Sequence, residues 1–420
     1  MSDDASQGQQ AEIRLLKPLR QNHDYILLWS GQMVSTLGSG VSQLAFPLLI
    51  LAITHSPAQA GFAGFLYSLP YVILSLPAGA LVDRWDRKRV MILCDMGRAL
   101  NAASIPLAAA LWHLTIQQLF ITTTIEGTLF TFFNIAEVAC LPRVVPKEQI
   151  PAAAAQNEGG SIATSLIAPS IGGLLYQFSR TVPFVLDAVS YAVSVFSLTF
   201  IKTEFQGERS ARTGTLRADI MEGIAWLWRQ PLIRFMAFLT GGLNFCNSAT
   251  GLVLIVVAKN QHAPAAAIGI IFSIGSVGGI LGAMIAPRIQ KRYSFGRVIT
   301  LCVWAEAILW PLYAVAPNIV ALGVVAACLF FLGPIYNAVQ FGYRVSIIPD
   351  ALQGRVNSAF RLLAFGFIPL GTALSGILLQ SVGTTSTILI FSVVALALAL
   401  ASTINRNIRN AGAITQPQAV

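Results

Sequence analysis

The sequence predicts an all-α membrane protein of twelve transmembrane helices, arranged as two pseudo-symmetric six-helix bundles. Three observations carry this. The 420 residues are 55% apolar and only 11% charged, with a mean hydropathy of +0.68, whereas soluble domains carry about 25% charged residues. So little charge cannot clothe several water-facing surfaces, but a chain solvated by lipid needs charge only at its rims. Apolar stretches long enough to cross a hydrocarbon core, about 20 residues each, recur along the whole chain. The second half of the chain also repeats features of the first.

In chain order, residues 1–20 form a polar N-terminal tail, with Asp3, Asp4 and Glu12 ahead of Arg14, Lys17 and Arg20. A cleavable signal peptide is not expected there, so the first helix acts as its own insertion signal. Six apolar windows follow within an N-terminal bundle of 21–202: 25–53, 60–82, 88–112, 116–140, 159–178 and 182–202. Six more make a C-terminal bundle of 232–405: 232–258, 266–287, 296–316, 319–344, 356–380 and 384–404. Loops on one side are very short, which excludes a large external domain. Between the bundles, the linker 203–231 is polar and basic and opens on a breaker-rich run through Gly207, Ser210 and Gly214. Its Leu216, Ile220, Ile224, Leu227 and Trp228 recur at helical spacing opposite Arg217, Asp219, Glu222 and Arg229, predicting an amphipathic helix on the membrane surface. Residues 406–420 form a short C-terminal tail.

The net charge of +9 is topological. Basic residues collect in every second gap: Arg84 to Arg89, Arg143 and Lys147, Lys202 to Arg234, Arg288 to Arg297, Arg344 to Arg361, then Arg406 and Arg409. Only Arg180 and Lys259 fall in the other gaps. This alternation follows the positive-inside rule, placing both termini in the cytoplasm of a bacterial inner-membrane protein and excluding a nucleic-acid partner. Cys94, Cys140, Cys246, Cys302 and Cys328 all lie in apolar windows and form no disulfide framework.

The halves correspond in detail. Gly79 and Gly282 are separated by 203 residues, as are Lys88-Arg89 and Lys291-Arg292, and Pro146 and Pro349. His55-Ser-Pro57-Ala and His262-Ala-Pro264-Ala also match, displaced by four more residues. Paired halves of this kind suit alternating access, with a site near the middle of the bilayer between them.

The loop between the second and third windows reads Gly79-Ala-Leu81-Val-Asp83-Arg84-Trp-Asp86-Arg87-Lys88-Arg89. It resembles the signature of the major facilitator superfamily, Gly-x-Leu-Ala-Asp-Arg-x-Gly-Arg-Lys, departing from it at Asp86. That variant, with Asp95 and Arg98 in the third window, resembles the drug-proton antiporter branch that contains macrolide-efflux and siderophore (enterobactin) exporters. Leu141-Pro142-Arg143, Asn157-Glu158-Gly159 and Gly354-Arg355-Val-Asn357 strengthen the resemblance, which covers about residues 20–405. It implies a conformational gating loop at Gly79, Asp83, Arg84, Arg87 and Lys88. Gly79 is expected to permit close helix approach, and Asp83 to sit at a helix N-terminus. Thr164, Ala168, Pro169, Gly172 and Gly173 resemble the antiporter motif Gly-x3-Gly-Pro-x2-Gly-Gly, with two glycines replaced by small residues. A helix-packing role and a direct mechanistic role both stay open for Pro169, Gly172 and Gly173.

Ionisable groups within a bilayer are functional hypotheses by default. Asp95 and Arg98, one turn apart, are expected to form a structural ion pair. Asp187, toward the outer end of the sixth window and within reach of water, and Glu137, toward the inner end of the fourth, are expected to be structural. Glu306 lies deep in the ninth window, which the resemblance places at the periphery. Glu126, about nine residues into the fourth, is the candidate for proton coupling, because a carboxyl there can exchange protons as the site changes face. By the same resemblance, windows one, four, seven and ten line a cavity. Their polar residues are the substrate-binding candidates: Gln32, Ser35, Ser39, Gln43, Asn134, Asn244, Asn247, Asn337, Gln340 and Arg344. Tyr67, Phe133, Phe245 and Tyr336 offer apolar contacts.

The function implied is secondary active transport: proton-coupled efflux of a small hydrophobic or amphiphilic compound, such as a drug, macrolide or siderophore-like molecule. Its partners would be that substrate, protons and the lipid bilayer, for a chain working as a monomer. A proton-coupled importer or facilitator of a nutrient uses the same fold, and a non-transporting membrane sensor or scaffold is the reading from another class. No metal-ligand or nucleophile-base spacing involves His23, His55, His113 or His262, and no Gly-x4-Gly-Lys loop occurs, so neither an enzyme, a cofactor nor direct ATP drive is expected.

Overall fold

The computed structural model describes residues 18–111, 113–205, 216–409 and 411. Most of both predicted tails, and the run through Gly207, Ser210 and Gly214, lie outside the described residues. Six long helices form the first half: α1 (His23–Thr54), α2 (Pro57–Val82), α3 (Arg87–Leu111), α4 (Ile116–Val144), α5 (Ile150–Phe178) and α6 (Val182–Phe200). The second half comprises α7 (Pro231–Asn260), α8 (Ala265–Arg292), α9 (Phe295–Leu309), α10 (Ile319–Ile347), α11 (Gln353–Ser381) and α12 (Gly383–Ile404). Between them lies a linker helix, Leu216–Arg229.

Eleven spans among the described residues are long and apolar enough to cross a membrane. The exception is α5, which starts at Ile150 rather than at the predicted 159 and so carries a polar first portion that includes the exposed Gln156 and Glu158. The ninth span is interrupted: α9 stops at Leu309, and a short helix Leu312–Val315 resumes after Pro311, which has no N–H to continue the ladder. Side-chain caps set several starts. Asn22, Ser56, Thr115 and Asn318 accept from the amides three residues on, at Tyr25, Gln59, Gln118 and Ala321.

The repeat is visible in the backbone and in the packing. His55 and His262, closing the first helix of each half, are the non-glycine residues with positive φ among the described residues, at 53° and 57°, and leave the helix in the left-handed conformation that frees the chain to turn. Packing pairs in the first half (α1 with α5 and α6, α2 with α4, α3 with α4 and α6) recur in the second as α7 with α11 and α12, α8 with α10, and α9 with α10 and α12. Across the halves, α2 packs on α11 and α5 on α8. These two contacts exchange under the same half-to-half correspondence.

Both cross-contacts are tightest at the end remote from the chain termini. A Cβ on Gly61 would stand 2.7 Å from the Gly376 Cα, and one on Gly269 would stand 2.2 Å from the Pro169 carbonyl oxygen. Glycine there lets backbones touch, which is how helices associate without a hydrophobic driving force. Ser56 donates to Gln380, Ser170 pairs with Ser273 at 2.7 Å, and the Ala266 amide donates to Gln177. This end is sealed.

Candidate functional site

Two polar centres lie within the spans. The first sits where α1, α3, α4 and α6 meet. The Arg98 Nε donates to the Glu126 Oε1 at 2.8 Å, and the Tyr191 hydroxyl donates to the same oxygen at 2.9 Å. Asp95 stands 3.5 Å from the Arg98 Nη1. Ser39 on α1 closes the ring, 2.8 Å from the Tyr191 hydroxyl and 3.5 Å from the Arg98 Nη2. The guanidinium also lies over Tyr191, 4.2 Å from the ring centroid, and faces Phe130 and Phe133. One turn along, Ser42 donates to Asp187.

This arrangement changes two expectations. Asp95 and Arg98 do pair, but the closer anionic partner of Arg98 is Glu126, so the pair and the proton-coupling candidate are one cluster. Asp187 is 4% exposed and held by Ser42, not placed within reach of water as expected. Local spacing reveals a partner one turn away and is silent about one on another helix. Tyr191 and Ser39 complete the cluster. Tyr191 gave no signal beyond being a polar aromatic in an apolar window.

The second centre is a cavity of about 650 Å³ between α5, α7, α8, α9 and α10, within the range of small-molecule sites. It lies on the terminus-bearing side of the seal, because its walls include Glu158 and Ser161 from the early part of α5 and Ala283 from the late part of α8. Asn244, Asn247 and Asn337 of the expected substrate contacts line it, as do Thr240, Tyr336 and Glu306. The remaining candidates do not meet there. Gln32 is buried and points to Ser194 at 3.5 Å, Gln43 is exposed and Asn134 half-buried. Gln340 is buried elsewhere, and Arg344 is stacked on Phe360 at 4.0 Å. Nor do Tyr67, Phe133 or Phe245 line it. Helical spacing shows which residues of one helix share a face, whereas packing decides whether that face meets a cavity or a neighbour. Glu306 moves the other way: expected at the periphery, it faces the cavity.

In the loop between α2 and α3, Arg87 pairs with Asp83 at 3.2 Å and donates to the Ala139 carbonyl of α4, while Lys88 donates to the Ile201 carbonyl at 2.6 Å. Arg84 is exposed. The helix-terminal role expected of Asp83 falls instead to Asp86, whose carboxylate accepts from the Arg89 amide at the start of α3; Asp83 ends α2. That gives the departure from the family pattern a physical reason, since an aspartate caps a helix better than most residues. Gly79 has no neighbour within 4 Å of a Cβ position, so the close approach expected there is absent from this conformation. On α5, a Cβ on Gly172 would meet the Val41 oxygen of α1 at 2.7 Å, and one on Gly173 the Ala265 oxygen of α8 at 2.3 Å. The motif residues therefore pack both within the half and across the seal.

Comparison with known proteins agrees with the geometry. Residues 14–419 match the family described as transmembrane secretion effector, of the major facilitator superfamily. The multidrug efflux pump Tap of Mycolicibacterium fortuitum is 25% identical over 93% of this chain and 98% of its own. Macrolide efflux protein A of Streptococcus pyogenes is 24% identical, covering 92% of this chain and 96% of its own. The enterobactin exporter EntS of Escherichia coli is also 24% identical, over 88% of each chain. The crystal structure of the nucleoside transporter NupG, 15% identical, superposes with a TM-score of 0.75 over 90% of this chain and 98% of its own, which establishes the shared fold. With twelve long helices among the described residues in two matching halves, a seal at one end and a solute-sized cavity behind it, this chain belongs to the transmembrane secretion effector family of major facilitator superfamily transporters.

Proposed function

We propose that this transporter exports a small hydrophobic or amphiphilic compound in exchange for protons. The observation that carries the coupling is the grip of Arg98 by Glu126, Tyr191 and Asp95. One guanidinium there faces two carboxyls, those of Asp95 and Glu126, and a third buried acid, Asp187, lies one turn along α6 from Tyr191, within a low-dielectric junction of four helices. Such a group of interacting sites takes up and releases protons collectively. Protonating Glu126 neutralises the closer anionic partner of Arg98, which is also the acceptor of the Tyr191 hydroxyl, and loosens α4 from α3 and α6 while Asp95 stays paired with Arg98; losing the proton rebuilds the grip. The bundles 21–202 and 232–405 then rock about α2–α11 and α5–α8, with 203–231 as the tether.

Export, rather than uptake, is supported by the likeness to the multidrug efflux pump Tap, macrolide efflux protein A and the enterobactin exporter EntS. The alternation of basic gaps supports cytoplasmic termini in a bacterial inner membrane, which makes the sealed end the outer one and this conformation inward-facing. A single chain contains both centres, so a monomer suffices.

The test is transport in proteoliposomes driven by a pH gradient. Glu126→Gln is expected to lose gradient-driven export at least tenfold while retaining substrate counterflow, which requires no net proton movement. Undiminished gradient-driven export by that variant removes Glu126 from the coupling. Substrate accumulation on the opposite side would favour the importer.

A further inference from the structure

We propose that Glu306 anchors the positive charge of an organic cation, so that the cavity selects amphiphilic amines and quaternary cations over anions of the same shape. The proposal deepens the transport reading and rests on it for the cavity's role. Glu306 is 7% exposed and lines the cavity wall. Among the described residues its side chain has neither a hydrogen-bond nor an ion-pair partner, and its Oε1 is sealed from solvent. A buried carboxylate left in that condition is costly, and a cation supplied by a ligand offsets the cost.

The surroundings make the carboxyl the unsatisfied group of its wall. The Tyr336 hydroxyl is engaged by Thr240 at 2.8 Å, and the Asn244 amide is spent on the Ala364 carbonyl at 2.9 Å. None of the described lining residues is Lys, Arg or His, and the other charged one is Glu158, exposed on α5. The charged groups that an approaching solute meets among the described lining residues are therefore acids. Phe272, Phe330 and Tyr336 also line the cavity and present aromatic surface to a cation's apolar groups. An anion would face two carboxyls with no compensating charge.

The experiment measures equilibrium binding of three probes of similar bulk to the purified full-length protein in detergent: tetraphenylphosphonium, tetraphenylborate and neutral triphenylphosphine oxide. Tetraphenylphosphonium is expected to bind at least tenfold tighter than tetraphenylborate. Glu306→Gln is expected to weaken the cation at least tenfold and leave the neutral probe within twofold, with Glu306→Asp intermediate; size-exclusion profile and melting temperature establish that the variants are folded. The unaltered protein's ranking of the cation and the borate is decisive even if a variant fails to fold. Equal affinity for these two, or unchanged cation binding in Glu306→Gln, overturns the proposal. Transport is assayed separately in proteoliposomes: if no probe moves under any gradient, the transport reading fails, while Glu306-dependent cation binding would still stand.

Discussion

Arg98 is 28 residues from Glu126 and 93 from Tyr191, yet its side chain joins all three helices that carry them and Asp95. Removing one member of a buried charged group leaves the others uncompensated, at a cost of about 3–5 kcal/mol. Arg98→Ala should therefore lower the melting temperature in detergent more than any neutral substitution on the same face. Combining it with Glu126→Gln should recover part of that loss, because the second change removes a charge that the first left unpaired. A double variant whose destabilisation is the plain sum of the two single ones would show that the two side chains are not energetically coupled. Arg98→Lys keeps the charge but not the planar fork that reaches Glu126, Asp95 and Ser39 together, so it should retain folding better than transport.

At the level of elements, α5 is the piece that both holds its own half and closes the molecule. Its Gly172 rests on α1 and its Gly173 on α8. A valine at 173 would place its Cβ against the Ala265 backbone, which no side-chain rotation relieves. Gly173→Val should therefore disfavour the sealed end and shift the molecule toward opening there. A cysteine at Gln177 would be labelled several-fold faster by an impermeant maleimide in that background, and transport would fall. Unaltered labelling would mean that the α5–α8 contact is not the seal. Gly159, on the same helix, has no neighbour within 4 Å of its Cβ position and offers the contrasting site; Gly159→Val should leave labelling in this conformation unchanged. The linker helix is tied to the second half through Glu222 with Arg355 and through Gly223 against the Arg355 backbone.

For the whole molecule, alternating access requires that the sealed end open in every cycle. Ser56, before α2, and Gln380, in the last turn of α11, are hydrogen-bonded across the two halves. In a background free of the five native cysteines, Ser56→Cys with Gln380→Cys should cross-link on oxidation and stop transport, and a reductant should restore it. Transport that continues through the oxidised form would rule out separation of the halves at this end.

Sequence alone determined the all-helical membrane class, the approximate limits of the long helices, the two-half repeat and the linker helix. It could do so because a backbone in lipid must satisfy its hydrogen bonds within each helix, which makes hydropathy and length local quantities. Charge alternation between gaps is equally local. What only the tertiary structure decided is which buried charges meet. Glu126 was visible as an intramembrane acid, but its grip on Arg98 and Tyr191 depends on how α3, α4 and α6 turn toward one another. Glu306 was visible too, and the orientation of α9 is what brings it to the cavity. Gln32, Gln340 and Arg344 have the same polar character and the same helical spacing as Asn244 and Asn337, yet Gln32 and Arg344 face neighbouring helices and Gln340 is buried away from the cavity. A side chain's period along its own helix carries no information about the rotation of that helix within the bundle, and that rotation is set by packing across the whole assembly.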